Sequence, residues 1–334
     1  MIEKQESITA KLCLFARAYH SGADSQSPKI FDDYLSFDLM GRSEYEEIGQ
    51  LIENDFDSAK YDENRWFRYS NIKDVLYKYI LPIPLSRLSF AEHALADFAE
   101  AHDGKIQYVI CGAGMDSFAF RNINKNIRIF EIDHPDTQAY KRQRIKKLEW
   151  TVPQNLTFVP VDFSKDNLKE RLLQSGFDTT LPTFTAILGV SYYLTLPVFE
   201  ETLRIISELT SEGSRVIFDF PDDSTFSERQ SELNPRVKEL AEVTKRLGEP
   251  MLHGFSVEEI KGALERHSMF IDRHEGPEEI QKKYFSNRKD DLKAYENVHF
   301  IVAEKTAPTN TEPTTTTWFT QNRPPTFLRK QYRL

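Results

Sequence analysis

Cysteine is almost missing from this chain: Cys13 and Cys111 are the two among 334 residues. Two thiols build neither a disulfide framework nor a four-ligand structural zinc site, so a reducing, cytoplasmic setting is expected. Long apolar runs are missing too. No stretch approaches the roughly 20 apolar residues of a membrane helix. The segment from Met1 to His20 carries charges throughout and lacks the apolar run of a secretory leader. Basic charge is in deficit, with 43 Lys and Arg against 52 Asp and Glu, a formal charge of −9. That balance gives no general attraction to nucleic acid. There is no internal repeat, no His-Glu-x-x-His motif, no Cys pair or carboxylate cluster of metal-binding spacing, and no phosphate-binding P-loop. No metal is therefore expected.

What is present suits a folded protein. Apolar residues make up 40% and aromatics 12%, enough for a substantial core and unlike a disordered chain. The length allows one large domain or two ordinary ones. Up to residue 105 the pattern is mostly helical. Ile8, Leu12, Phe15 and Tyr19 recur at helix spacing. Pro82 and Pro84 interrupt the chain ahead of a helix bearing Phe90, Ala94, Leu95 and Phe98.

From residue 106 short apolar runs alternate with amphipathic segments. The runs are 106–111, 127–132, 157–161, 184–190, 215–220 and 299–304, with a weaker one at 269–272. Helices are expected between them at 136–149, 166–174, 197–211 and 256–267. In the third, Val198, Thr202, Ile205, Ile206 and Leu209 fall on one face. Such alternation implies right-handed βαβ units and a parallel sheet covered on both sides. The long stretch 221–255, between two late strands, would lie over the carboxyl ends of the strands, where open α/β sheets bind ligands. The Thr-rich tail from Thr306, with two prolines before residue 317, is expected to be disordered.

The segment from Tyr108 to Ser117 carries the most information. A buried strand runs into Gly112-Ala113-Gly114 and then into a helix-compatible stretch. Glycines there permit backbone torsions denied to other residues and let a ligand approach the main chain. Taken alone, the pair is equally a plain tight turn. The next strand ends Phe130-Glu131-Ile132-Asp133-His134-Pro135. An acid at that strand end, about 20 residues past the turn, is placed to accept both ribose hydroxyls of a nucleoside. It could also be a solvated strand end or a helix cap, although Asp136 suits the cap better. Position 117 is Ser, so the third glycine of the dinucleotide fingerprint is absent. A nucleoside without phosphates, such as S-adenosyl-L-methionine, needs only the close turn and the ribose acid. A methyltransferase is thus favoured over an NAD(P)-dependent oxidoreductase. A non-catalytic binding module with the same fold is a third reading.

These motifs resemble the leucine carboxyl methyltransferase superfamily, in particular its bacterial branch related to the tetracenomycin polyketide O-methyltransferase. Gly112 to Arg121 is similar to the family's "GAGxDTxxxR", 130–135 to "FEVDHP", Val161-Asp162-Phe163 to "(A/V)D(F/L)" and 188–195 to "(E/L)GVxxYLT". Thr9-Ala10-Lys11 with Arg17, and the block from Arg87 to Glu92, resemble its upstream motifs. The resemblance spans residues 8 to 305. It implies a class I methyltransferase fold: a seven-stranded, mostly parallel, Rossmann-like sheet with helices on both faces and one antiparallel strand in its last pair. Residues 1–105 would be a helical cap integral to the domain, 106–305 the core with 221–255 as a lid, and 306–334 the tail.

It also implies roles. Gly112 and Gly114 would approach the methionine part of S-adenosyl-L-methionine, with Arg87 and Lys11 facing its carboxylate. Asp133 would hold the ribose, and Asp162 and Phe163 would bracket the adenine. Leu188 stands where the eukaryotic branch has Glu, which removes one polar contact to the cofactor. Tyr193 matches a tyrosine near the transferred methyl. Each residue also has an ordinary structural use: Arg87 could pair with an acid such as Glu92, Phe163 could be core, and Tyr193 could be a packing residue.

The implied reaction is methylation of a carboxylate or hydroxyl oxygen of a small, polyketide-like molecule, without nucleic acid or membrane as partner. A sulfonium methyl is already activated, so alignment and water exclusion carry much of the catalysis. A carboxylate needs no base, whereas a hydroxyl needs one or must bind ionised. His253 and Asp219 are candidate bases that no motif assigns. The acceptor and the oligomeric state are not legible from the sequence.

Overall fold

Each apolar run of the second half of the chain becomes a strand. The computed structural model describes residues 8–22, 27–56, 72–162, 165–226, 234–246 and 249–307. Phe163 and the tail from residue 308 onward lie outside the described residues. The strands are β1 (Gln107–Cys111), β2 (Arg128–Asp133), β3 (Leu156–Pro160), β4 (Thr183–Ile187), β5 (Arg215–Pro221), β6 (Met269–Glu275) and β7 (Val298–Lys305). They form one sheet in the order β3-β2-β1-β4-β5-β7-β6. The first five are parallel, and β7 runs antiparallel to both β5 and β6. This is the class I methyltransferase arrangement that the family resemblance implied. The order reverses between β1 and β4, so the crevice at their carboxyl ends is the place where such sheets take ligands.

Side chains along the strands alternate between two cores. Tyr108, Ile110, Ile129, Phe184 and Ile217 join one, and Val109, Cys111, Phe130, Ile132 and Phe218 the other. Both faces are buried, which explains why these strands read as continuous apolar runs rather than as an alternation.

Among the described residues, five α-helices precede β1: α1 (Ile8–Gly22), α2 (Ser36–Met40), α3 (Arg42–Phe56), α4 (Ile72–Val75) and α5 (Pro82–Ala101). A π-helical turn, Leu76–Ile80, joins the last two. Pro82 does not stand before α5 but opens it, a position where its missing N–H costs nothing. The helix lies on the first core, with Phe90 stacked on Phe300 at 5.3 Å and Phe98 against Phe184 at 5.5 Å. Burying each such ring contributes about 1.5–3 kcal/mol.

The remaining α-helices among the described residues are α6 (Phe118–Arg121), α7 (Pro135–Lys147), α8 (Leu168–Gln174), α9 (Leu196–Leu209), α10 (Pro235–Arg246), α11 (Val257–Glu265) and α12 (Pro277–Ile280). The inward face of α9 differs from the expected one. Phe199, Leu203 and Ile206 are buried, whereas Val198 is 46% exposed. Phe199 decides the rotation, because its ring meets Phe218 at 5.0 Å and Phe255 at 5.9 Å, a larger apolar gain than Val198 offers. The start of α7 differs as well. His134 is its N-cap, its Nδ1 accepting the Asp136 amide at 3.3 Å, and Asp136 lies in the first turn. Pro135 takes the first helical position, which makes the residue before it the cap. Among the described residues, no helix is long and apolar enough to cross a membrane.

Candidate active site

The turn after β1 forms the floor of the crevice. Gly112 and Gly114 have φ of 71° and 50°, in the left-handed region. A Cβ on Gly112 would lie 2.8 Å from Val190 Cγ2, so this position is closed to a side chain on both counts. The amides of Gly112 and Ala113 both donate to the Ile132 carbonyl, at 2.9 and 3.0 Å, and draw the turn against the end of β2. Asp133 stands there. Its Oδ2 accepts the Gly114 amide and its Oδ1 accepts the His134 amide at 2.6 Å. Burial raises this carboxyl above its usual range, and the two amide bonds oppose that rise. A carboxylate offers about four lone-pair positions. Two are used here, which leaves capacity for a pair of hydroxyls.

Arg17 secures the far side of the turn. Its buried guanidinium donates to the Met115 carbonyl at 2.8 Å and to Asp33 Oδ2 at 2.7 Å. The sequence marked Arg17 within a motif without giving it a task.

Arg87 reaches the crevice from α5. Its guanidinium lies against Gly189 (φ 69°), where a Cβ would come within 2.5 Å of Nη1. Nη1 donates to Asp219 Oδ2 at 3.2 Å and Nη2 to the Cys13 sulfur at 3.4 Å, while Nε is buried without a partner. Burial works against this charge, but Asp219, with Cys13 and Tyr192, more than offsets it and raises the pKa. Glu92 is not the partner of Arg87; it binds Arg121 through both oxygens.

Asp219 is not placed as a free base. Its Oδ1 accepts the Gly189 amide at 2.6 Å, and its Oδ2 accepts the Tyr192 hydroxyl at 2.9 Å as well as Arg87. It is fully buried and engaged at both oxygens, so its role is to anchor Arg87 and the turn after β4.

The other candidates spread around the same rim. Asp162, just beyond β3, takes Lys165 at 2.8 Å and lies 4.0 Å from His134 Nε2. Leu188 follows β4 and is half-buried against the first core. Lys11 pairs with Glu44 at 2.7 Å and sits over the Tyr140 ring. Tyr193 ends a 3-10 turn, Ser191–Tyr193, and its hydroxyl donates to Thr9 Oγ1 at 3.3 Å. The Thr9 hydroxyl donates in turn to Glu249. Glu249 also accepts the Ile8 and Thr9 amides at 3.0 and 3.3 Å and so caps α1. Burial raises the Tyr193 phenol, pushed up to about 12. His253 is exposed.

Gly112, Gly114, Asp133, Arg87 and Tyr193 thus share one crevice. Cys13, Thr9 and Glu249 join them without having been singled out as part of it, and Asp219, expected only as a candidate base, joins them as the partner of Arg87. Thr9 lay inside a recognised block, but nothing near Glu249 marks it in the sequence. Among the described residues, no group of three or more His, Cys, Asp or Glu is placed to hold a metal ion.

Residues 10–207 match the model of the leucine carboxyl methyltransferase family. YktD of Bacillus subtilis (strain 168), provisionally named an S-adenosyl-L-methionine-dependent methyltransferase, is 37% identical over 317 residues, which cover 91% of this chain and 100% of that protein. Franean1_4929 of Parafrankia sp. (strain EAN1pec), under the same provisional name, is 34% identical over 131 residues, 39% of this chain and 41% of its own. Among solved structures, a DUF574 family protein from Streptomyces avermitilis superposes with a TM-score of 0.53 at 12% identity, covering 91% of this chain and 100% of that one, a likeness of fold.

Proposed function

The chain belongs to the leucine carboxyl methyltransferase family and is an S-adenosyl-L-methionine-dependent methyltransferase, and from that premise we propose that it methylates a carboxylate or hydroxyl oxygen of a small molecule. One observation carries the assignment of the crevice: the buried Arg87 guanidinium keeps an unpartnered Nε beside a glycine too close for any side chain. A buried donor without an acceptor is costly unless a ligand supplies one. An amino-acid carboxylate fits it, and a planar guanidinium binds such a group through two bonds.

The rest of the rim supports the same ligand. Asp133 would take the ribose hydroxyls with its remaining lone pairs. Gly112 and Gly114 would let the methionine part lie on the main chain. Asp162 would accept from the adenine amine, and Leu188 would give an apolar contact. Phe163 is part of this proposal but falls outside the described residues, and Lys11 would have to leave Glu44 to join it. Bound there, the cofactor supplies a methyl on a positively charged sulfur, open to displacement by an oxygen. Tyr193 would face the acceptor, and the residues of the rim would align it and exclude water.

Calorimetry with S-adenosyl-L-homocysteine tests the reading. Asp133→Ala is expected to weaken binding at least about tenfold, roughly 1.4 kcal/mol, with the fold retained by circular dichroism. Asp133→Asn, which keeps the shape and one carbonyl acceptor, should lose less. Wild-type affinity in the alanine variant would refute the ribose assignment.

A further inference from the structure

The order of donors around Tyr193 bears on which oxygen is methylated, an inference that rests on the methyl-transfer reading of the crevice. Tyr193 gives its single hydroxyl proton to Thr9 Oγ1, and Thr9 gives its own to Glu249. Both protons point the same way, out of the crevice and toward a carboxylate. Glu249 is half-buried and held by the first amides of α1, so its charge is balanced by the helix terminus while one side meets solvent. What Tyr193 leaves toward the acceptor is therefore lone pairs.

We propose that Tyr193, Thr9 and Glu249 form a proton path, and that the acceptor is a hydroxyl, phenolic or alcoholic. A hydroxyl can donate to those lone pairs and must lose its proton on methylation. A carboxylate has no proton to give, and Tyr193 could donate to it only by turning its own proton away from Thr9, which breaks the path. In the step, the acceptor oxygen bonds the methyl carbon as the carbon–sulfur electron pair withdraws onto sulfur, leaving a neutral thioether. The acceptor proton moves to Tyr193 Oη, the Tyr193 proton to Thr9 Oγ1, and the Thr9 proton to Glu249, which releases it to water. Burial keeps the Tyr193 phenol neutral near pH 7, so it relays a proton rather than acting as a standing phenolate base. Besides Glu249, the ionisable groups that face Tyr193 among the described residues include Cys13, Arg87 and Tyr192.

Tyrosine labelled with carbon-13 at Cζ makes the path readable without an acceptor. The probe is the full chain saturated with S-adenosyl-L-homocysteine, observed by NMR at one neutral pH. Tyr193→Phe identifies the resonance. It should shift in Glu249→Gln and in Thr9→Val, and return to its wild-type position in Thr9→Ser. A Tyr193 signal unmoved in both Glu249→Gln and Thr9→Val would overturn the path. Calorimetry on the same samples keeps two failures apart: absence of S-adenosyl-L-homocysteine binding sinks the methyltransferase site, whereas normal binding with an uncoupled tyrosine sinks only the relay. With methyl-labelled cofactor and a metabolite extract, the expected product is an ether stable to mild alkali, formed on the order of a hundredfold more slowly by Thr9→Val with cofactor KM unchanged. Label released as methanol would mark an ester and overturn the hydroxyl assignment.

Discussion

Arg87 and Asp219 form one buried ion pair at the proposed binding site. Asp219 holds the guanidinium against Gly189 and is buried with both oxygens engaged. Arg87→Lys keeps the charge but loses the planar fork, so the affinity for S-adenosyl-L-homocysteine should fall about tenfold or more, near 1.4 kcal/mol. Asp219→Asn should weaken binding too and should also cost stability, about 3 kcal/mol, because the buried cation loses its counter-charge. Calorimetry and thermal melts separate the two losses; an Arg87→Lys variant that binds like the wild type would remove Arg87 from the cofactor site. The place of Asp133 was legible in the sequence, at the strand end after a glycine turn, and its use at a ribose is part of the proposal. Asp219 stands at a strand end too, and from sequence it looked like a base. Its partner is 132 residues away, and nothing local reveals a pairing at that distance. Lys11 and Glu44 are a second instance of the same blindness.

Elements were more legible than their faces. Every apolar run became a strand, because strands buried on both sides announce themselves by composition alone. The inward face of α9 was missed by about one residue, since periodicity does not say which large side chain finds a pocket. The π-helical turn before α5 had no signal beyond Pro82, and a contact across the molecule meets it. Arg236 of α10 donates to the Lys78 carbonyl at 2.6 Å and to the Ala294 and Lys293 carbonyls at 2.7 and 3.0 Å, and stacks on Tyr295 at 3.9 Å. Tyr295 in turn donates to the Tyr79 carbonyl at 3.1 Å. One arginine thus pins the helix of the long insertion to the helices ahead of the sheet. Arg236→Ala leaves three carbonyls short of a donor and should cost about 3 kcal/mol. Hydrogen exchange should speed up in α10 first. Unchanged protection there would mean that α10 is held by something else.

At the scale of the molecule, the sheet order gathers residues from α1, α5 and five strand ends onto one rim. The alternation of strands and helices implied a covered parallel sheet, but the antiparallel β7 came only with the family resemblance. How the segment between α1 and α2 is held was not legible, because single polar contacts rather than periodicity hold it. Ser27 accepts the Lys289 amide at 2.8 Å, and Arg288 donates to the Pro28 carbonyl at 2.7 Å. Beside them His20 is buried, and its Nε2 accepts the Ile30 amide at 3.0 Å, which only a neutral ring does. Burial, with Arg288 and Lys29 adding to it, lowers its pKa from 6.5 to about 4. Between those values the unfolded chain binds the proton and the folded one does not, so stability rises with pH. The contribution is fully present above pH 6.5 and is lost as the pH falls through 4, about 3 kcal/mol in all. Glu131, whose carboxyl is raised by burial beside Lys141, acts with the opposite sign, so the wild-type curve alone does not isolate His20. The difference between wild type and His20→Gln does. The variant should be less stable at neutral pH, and the two melting curves should converge on acidification toward pH 4. Parallel curves across that range would show that His20 is not what ties the fold of this molecule to pH.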